Sequence, residues 1–379
     1  VIRVCHVITG LYTGGAEMML YRLLAATDRR RFAPSVISLI DRGALGARIE
    51  ALDIPVHTLK LRPGPGLLTG PARLIPLLRS LRPDLLQGWM YHGNLAATLA
   101  GLITGAPTVW GIHYSLSNPA GERLATRAII GLSRLLSRWP AATVYVSRIS
   151  AEQHAAQGFA DRNIRIIPNG FDGEIHRPST GGRQRFRAKI GADEDEILVG
   201  LIARYHPMKD HANLLSAARA FSGATPRMRW VLAGPGVDAS NAELTALIAG
   251  LGLAEDTVLL GECGDVAEIL AGLDLLCMSS SHGEAFPMVV GEAMATGLPC
   301  IVTDVGDAAW LVGDTGWVVP PRDPDALAAA LGEARALGRA ARVDCGMAAR
   351  RRVLEKFSLN AATSAYQDLY QSLLARRSH

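Results

Sequence analysis

The 379-residue chain is 49% hydrophobic and 20% charged, with 39 glycines and 20 prolines, a profile that excludes disorder and fibrous repeats and leaves a packed globular protein. That length outgrows one hydrophobic core, so two domains of fewer than about 200 residues each are expected. The net charge of +4 is uneven: residues 1–172 carry 19 basic against 10 acidic side chains (+9), and residues 173–356 carry 18 against 24 (−6).

Short runs rich in Val, Ile and Leu alternate with helical stretches, the pattern of parallel strands buried on both faces and joined by crossover helices. In chain order, strands are expected at Ile2–Ile8, Ala33–Leu39, Val56–Leu59, Leu85–Gly88, Thr108–Gly111, Thr143–Val146 and Ile164–Ile167. The segment from Asp172 to Glu196, with Pro178, Gly181, Gly182 and the polar run from Asp193, lacks a buried-strand pattern and reads as a linker. Six more strands follow at Ile197–Ala203, Met228–Ala233, Val258–Leu260, Leu275–Met278, Cys300–Thr303 and Gly316–Val318. Apolar spacing at Ala361, Ala365, Leu369, Tyr370 and Leu373 predicts a terminal helix that packs back on the first domain. The expected domains are 1–172 with the helix of 357–379, and 173–356.

Cys5, Cys263, Cys277, Cys300 and Cys345 show no C-x-x-C spacing, which points to a reducing cytoplasm. No apolar run reaches the ~18–20 residues of a membrane span, and Val1–Gly10 reads as a strand, not a signal peptide.

Open α/β sheets bind ligands beyond the carboxyl ends of their strands. In the first domain those ends carry Gly10, Gly14 and Gly15, then Trp89, Tyr91 and His92, then His113, Ser147 and the Asn169–Gly170 turn. In the second they carry Arg204, Lys209, Gly234, Gly236, Gly261, Glu284 and Asp304. Gly10, Gly14 and Gly15 do not form G-x-G-x-x-G, which argues against a dehydrogenase. Asp193-Glu194-Asp195 and Asp323-Pro324-Asp325 have metal-type spacing, but the first falls in the linker and the second has a helix start with Pro at N1. Both read as structural, and no metal site is expected.

Between Ser281 and Pro299 a helix is punctuated by Pro287 near N1, Gly297 at C′ and Pro299 beyond. The unpaired N–H groups and dipole at its start suit a diphosphate. Glu284 ahead of the helix and Glu292 inside it are two carboxylates suited to vicinal hydroxyls; taken alone, they also suit a helix cap and a solvated helix residue. Arg204 and Lys209 place a guanidinium fork and a point charge after the strand ending at Ala203.

Together, Gly14-Gly15-Ala16-Glu17, Pro168-Asn169-Gly170, Arg204 with Lys209, Gly234-Pro235-Gly236, and Glu284-Ala285-Phe286-Pro287 with Glu292 resemble glycosyltransferase family 4, the retaining transferases of the GT-B fold. The last is that family's E-x7-E motif, and the likeness covers almost the whole chain. It implies an α/β architecture of two Rossmann-like, doubly wound parallel-sheet domains facing across a cleft. It implies that Arg204 and Lys209 bind the donor diphosphate, Glu284 the sugar and Glu292 the ribose, with Ala285, Phe286, Pro287, Met288 and Val289 around the phosphate cradle. Gly14, Gly15, Asn169, Gly234 and Gly261 join the donor set, and His113 joins Arg204, Lys209 and Glu284 as catalytic. The departing phosphate oxygen would serve as base, with no metal and no cofactor apart from the nucleotide-sugar substrate. Relatives use UDP-hexoses, UDP-N-acetylhexosamines or GDP-mannose, and UDP is favoured.

A saccharide or polyprenyl-linked saccharide acceptor is expected, with Trp89, Tyr91 and His92 as candidate lining; core packing suits Trp89 equally. The residues from Glu122 to Trp139 place Arg123, Arg127, Arg134 and Arg138 on one helical face, with Leu124, Ile130, Leu132, Leu135 and Leu136 largely elsewhere. That face fits either an anionic membrane surface or plain solvent; no nucleic-acid partner is expected. Three rival readings stand beside transfer. A glycosidase using Glu284 and Glu292 leaves Arg204 and Lys209 unexplained, a nucleotide-sugar epimerase shares the fold, and a non-catalytic sugar-nucleotide binder would lack one of Arg204, Lys209 and Glu284.

Overall fold

The computed structural model describes residues 1–61, 66–117 and 124–376, and only the backbone of 66–69 and 71. All thirteen expected strands form, each within one residue of its expected ends. Two compact units result, Val1–Gly170 with Leu359–His379 and Phe171–Ser358.

In the first unit the strands are β1 (Ile2–Ile8), β2 (Phe32–Ser38), β3 (Val56–Thr58), β4 (Leu85–Trp89), β5 (Thr108–Ile112), β6 (Ala142–Tyr145) and β7 (Ile164–Ile166). They pair in parallel in the order β3-β2-β1-β4-β5-β6-β7, so the winding reverses between β1 and β4. Helices α1 (Gly15–Ala26), α2 (Gly43–Glu50), α3 (Gly66–Leu81), α4 (Met90–Thr104), α5 (Leu124–Leu136) and α6 (Arg148–Ala156) connect them.

Alternate residues of a strand face opposite sides, and β1 shows why the sheet is covered twice. Val4 and Ile8 enter one core with Met19, Leu20 and Leu23 of α1, while Cys5 and Val7 enter the other with Leu74 and Leu78 of α3.

In the second unit the strands are β8 (Ile197–Ile202), β9 (Met228–Ala233), β10 (Thr257–Leu259), β11 (Leu275–Met278), β12 (Cys300–Thr303) and β13 (Trp317–Val319), ordered β10-β9-β8-β11-β12-β13. The helices are α7 (Thr180–Lys189), α8 (His211–Ala218), α9 (Ala242–Gly250), α10 (Val266–Gly272), α11 (Met288–Ala295), α12 (Ala308–Val312), α13 (Pro324–Ala336) and α14 (Gly338–Lys356). One core joins Val199, Leu201, Trp230 and Leu232 of the sheet to Leu214 of α8 and Leu327 and Leu331 of α13. The chain ends in α15 (Leu359–Ala375), whose Tyr366, Leu369 and Tyr370 lie in the first unit's core; the Tyr370 hydroxyl donates to Gln87 Oε1 at 3.1 Å. The terminal helix therefore does pack on the first unit.

Two expectations are corrected. The segment 172–196 is no linker, because it contains α7, capped by Ser179 Oγ accepting from the Gly182 N–H at 3.0 Å. Phe186 and Arg187 of α7 are buried, and Arg187 Nη2 pairs with Asp274 Oδ2 at 2.5 Å. Asp274 also accepts from Arg183 Nη2 at 3.0 Å and from the Leu198 N–H at 2.8 Å, so one carboxylate ties α7 to β8 and the start of β11.

On α5 the leucines are not segregated from the arginines. Ile130 is buried and Leu136 partly so, but Leu124, Leu132 and Leu135 are exposed alongside Arg127, Arg134 and Arg138. Glu122 and Arg123 lie outside the described residues.

Removing one partner of a buried ion pair strands the other charge. Asp274→Ala is expected to lower the second unit's stability by about 3 kcal/mol or more, read as an earlier urea midpoint; an unchanged midpoint would show that α7 is not anchored by this pair.

Candidate active site

In the second unit the loops after adjacent strands are joined by main-chain hydrogen bonds. The Ala203 N–H donates to Ala233 O at 2.8 Å, that of Tyr205 to Pro235 O at 2.8 Å, and that of Gly234 to Gly261 O at 2.8 Å. Gly234 has φ +141°, and a Cβ there would sit 2.3 Å from Ala203 O, so only glycine lets the β9 turn lie against the β8 exit. Gly234 and Gly261, both expected at the site, are therefore fixed by backbone geometry.

Beyond Ala203 the exposed Arg204 leads into a 3₁₀ turn, Pro207–Lys209, capped by His206 Nδ1 accepting from the Met208 N–H at 3.2 Å. Burial lowers the His206 pKa, and Arg204, His282 and Lys209 lower it further, which marks this corner as cationic. The loop after β11 runs beside the turn. The Ser281 N–H donates to Met208 O at 2.8 Å, and Ser279 Oγ lies 3.0 Å from Lys209 O and 2.9 Å from Asp210 O.

Glu284 is brought to the turn by that loop. Glu284 is 9% exposed, and its carboxylate takes an ion-paired hydrogen bond from Lys209 Nζ and another from Ser280 Oγ at 2.6 Å, both on Oε1. Thr303 Oγ1 at the end of β12 holds Ser280 O at 2.6 Å. On the other side, the Asp307 N–H donates to Ala285 O at 3.0 Å, and a Cβ on Gly306 (φ +60°) would lie 2.3 Å from Glu284 O. Ser280, Gly306 and Asp307 escape the sequence reading. The sequence signal for them is Val305-Gly306-Asp307 after β12, a strand-end turn next to Asp304.

Helix α11 starts at Met288, with Pro287 at N-cap and no side-chain cap, and Gly297 follows its C-cap with φ +83°. No side chain caps the first-turn N–H groups, an arrangement that suits an anion. Phe286 is buried among Phe171, Trp310 and Phe357, with ring centroids 6.2, 5.9 and 5.3 Å away; it contributes its backbone to the helix start, while its ring packs. Ala285 is buried as well. Glu292, one turn in, is largely withdrawn from solvent and lies 3.9 Å from His176 Nε2.

In the first unit Gly14 is the N-cap of α1 without a side-chain bond and Gly15 opens the helix. His113 follows β5 and stacks on Trp89 with centroids 5.0 Å apart at 27°. Burial pushes its pKa down to about 3, with the nearby Asn169 side chain opposing the shift.

Trp89 does not suit acceptor lining: it is fully buried, donates from Nε1 to His6 Nδ1 at 3.1 Å and stacks on Tyr366. Tyr91 is also buried, with its hydroxyl 2.7 Å from His154 Nε2. Of the three candidate acceptor residues only His92 is exposed.

Two family models cover most of the chain, Glycosyltransferase Family 4 over residues 13–174 and Glycosyl transferases group 1 over residues 182–352. EpsF of Bacillus subtilis is 26% identical over 312 residues, 80% of this chain and 79% of that one. The D-inositol 3-phosphate glycosyltransferase of Saccharomonospora viridis is 30% identical over 223 residues, 56% of this chain and 51% of that protein, so here the match spans about half of the relative. A crystal structure of Anabaena HepE in complex with UDP-glucose has the same fold, with a TM-score of 0.85 at 22% identity over 98% of this chain and 100% of that one. The chain belongs to glycosyltransferase family 4, and its fold is GT-B.

Two outcomes follow from this geometry. Gly306→Ala displaces the Glu284 carbonyl and is expected to weaken nucleotide binding by roughly tenfold or more, with the far-ultraviolet spectrum retained; wild-type affinity by calorimetry would contradict the constraint. The second concerns histidines that burial keeps neutral in the first unit, His6 and His113 with pKa pushed down to about 3 and His154 to about 4. Their unfolded-state pKa is about 6.5, so the unfolded chain binds more protons below that value. Their contribution is complete above pH ~6.5 and is lost on acidification, by up to about 1.4 kcal/mol per pH unit for each. The first unit's unfolding midpoint should fall from pH 6.5 to 5, less steeply in His154→Gln; a flat wild-type profile contradicts this.

Proposed function

We propose that this glycosyltransferase moves a hexose or N-acetylhexosamine from a UDP-sugar to a hydroxyl of a saccharide or lipid-linked saccharide, with retention and without a metal ion, in polysaccharide or glycoconjugate synthesis. The observation that carries the reading is the Lys209–Glu284–Ser280 cluster next to the uncapped start of α11. It pairs a cation and free N–H groups, suited to a diphosphate, with a carboxylate suited to sugar hydroxyls.

In this reading Arg204, Lys209 and the first N–H groups of α11 take up the negative charge that grows on the leaving diphosphate, an effect worth most when the donors are fixed in advance. Glu284 keeps the Ser280 hydroxyl as a partner while it accepts from donor hydroxyls, and Glu292 accepts from the ribose. The glycosidic C–O bond to phosphate breaks, the acceptor oxygen bonds to the anomeric carbon on the same face, and the departing phosphate oxygen takes the acceptor proton. His113, neutral at physiological pH, is assigned a hydrogen bond and no charge. HepE's complex with UDP-glucose supports uridine as the base.

The test is turnover of a panel of UDP- and GDP-sugars with saccharide acceptors, with products read by NMR. Retained anomeric configuration and activity in EDTA are expected. Lys209→Ala and Glu284→Gln should each lower kcat by roughly 100-fold or more with the far-ultraviolet spectrum retained, and Lys209→Ala should also lower the melting temperature because it leaves Glu284 without its cation. Normal turnover by either variant rejects the site, an inverted product rejects retention, and epimerised donor formed without acceptor favours the epimerase.

A further inference from the structure

Helix α5 and the turn after it present an outward face with two rows. Leu124, Leu135 and Trp139, which are 81%, 63% and 54% exposed, recur at helical spacing with Ala128 and Leu132 beside them. Arg127, Arg134 and Arg138 form the adjoining row, also exposed. The inward stripe, Ile130 with Ile129 and Leu136, already packs in the core, so the outer leucines are not needed for the fold. Helix α4 packs beside α5 and exposes Leu99, Leu102 and Ile103. Neither helix contains an Asp or Glu.

Large apolar side chains left in water next to one sign of charge mark an interaction surface. We propose that this face docks the first unit onto an anionic lipid surface, with Leu124, Leu135 and Trp139 entering the headgroup boundary and Arg127, Arg134 and Arg138 on lipid phosphates. The charge chooses the occupant. Residues 1–172 carry 19 basic against 10 acidic side chains, and a two-fold contact through the same patch would set the arginines of α5 against their own copies, with no carboxylate on α4 or α5 to pair them. At thirteen residues α5 is too short to span a bilayer, and no helix among the described residues is long and apolar enough to do so; a helix of this kind lies in the interface plane. The inference is independent of the donor assignment, since it concerns binding without turnover.

The experiment is flotation of the whole chain with vesicles of phosphatidylcholine alone or with roughly one-third phosphatidylglycerol. The protein should float only with the anionic vesicles and be released near 0.5 M salt, where screening is short-ranged. R127Q/R134Q/R138Q is expected to weaken partitioning by roughly 100-fold and L135S/W139S by roughly tenfold. R177Q/R219Q/R322Q, which removes the same charge from exposed positions of the second unit, should bind as wild type. All of these positions are exposed, and equal melting temperatures check the fold. Absence of flotation, equal binding by R127Q/R134Q/R138Q, equal loss in the second-unit control, or a dimer that L135S/W139S dissociates in light scattering would each overturn the proposal.

Discussion

A carboxylate withdrawn from water must be paired or give up its charge, and Glu284 is such a group. Lys209 supplies the opposite charge and Ser280 a hydroxyl, while Thr303 fixes the Ser280 carbonyl so that the loop cannot drift. These residues come from the ends of β8, β11 and β12, which are far apart in sequence but consecutive in the sheet. The parallel order brings all three exits to one edge. The glycines are a consequence: at 283 and 306 a side chain would collide with Met208 and with the Glu284 backbone respectively, because pairing a buried charge pulls the loops that close.

What was legible in the sequence follows the same physics. Strands buried on both faces have to be apolar throughout, so all thirteen were readable, and Pro287 and Gly297 bracket α11 because a missing N–H and a positive φ leave few alternatives. The helix at 180–189 was hidden because its signal is a long-range pair: Arg187 meets Asp274, and neither residue looks structural in its own neighbourhood. Trp89 was ambiguous for a related reason. A strand end can face a ligand or the core, and only the stacking of Tyr366 from the far end of the chain decides for the core. On α5 the sequence shows the periodicity but not which arc faces inward, and the structure turns Ile130 to the core and Leu135 to water.

The two sheet edges, each taken by itself, are built for different electrical tasks. In the second unit Arg204, Lys209 and Glu284 are ionisable groups gathered at strand ends, and the helix start adds a fixed partial positive charge. In the first, the corresponding position after β5 holds an imidazole stacked on an indole, with burial driving its pKa to about 3. A histidine in that state can orient a hydroxyl but cannot neutralise a phosphate at physiological pH. Under the proposed reading the charge work of transfer falls to the second unit, where the Lys209–Glu284 pair is withdrawn from solvent and its loops are held by backbone hydrogen bonds. Fixed dipoles and charges of that kind need little rearrangement as charge develops on a leaving group, so in the proposed reading the burial that makes Glu284 costly to hold is also what would make the edge effective.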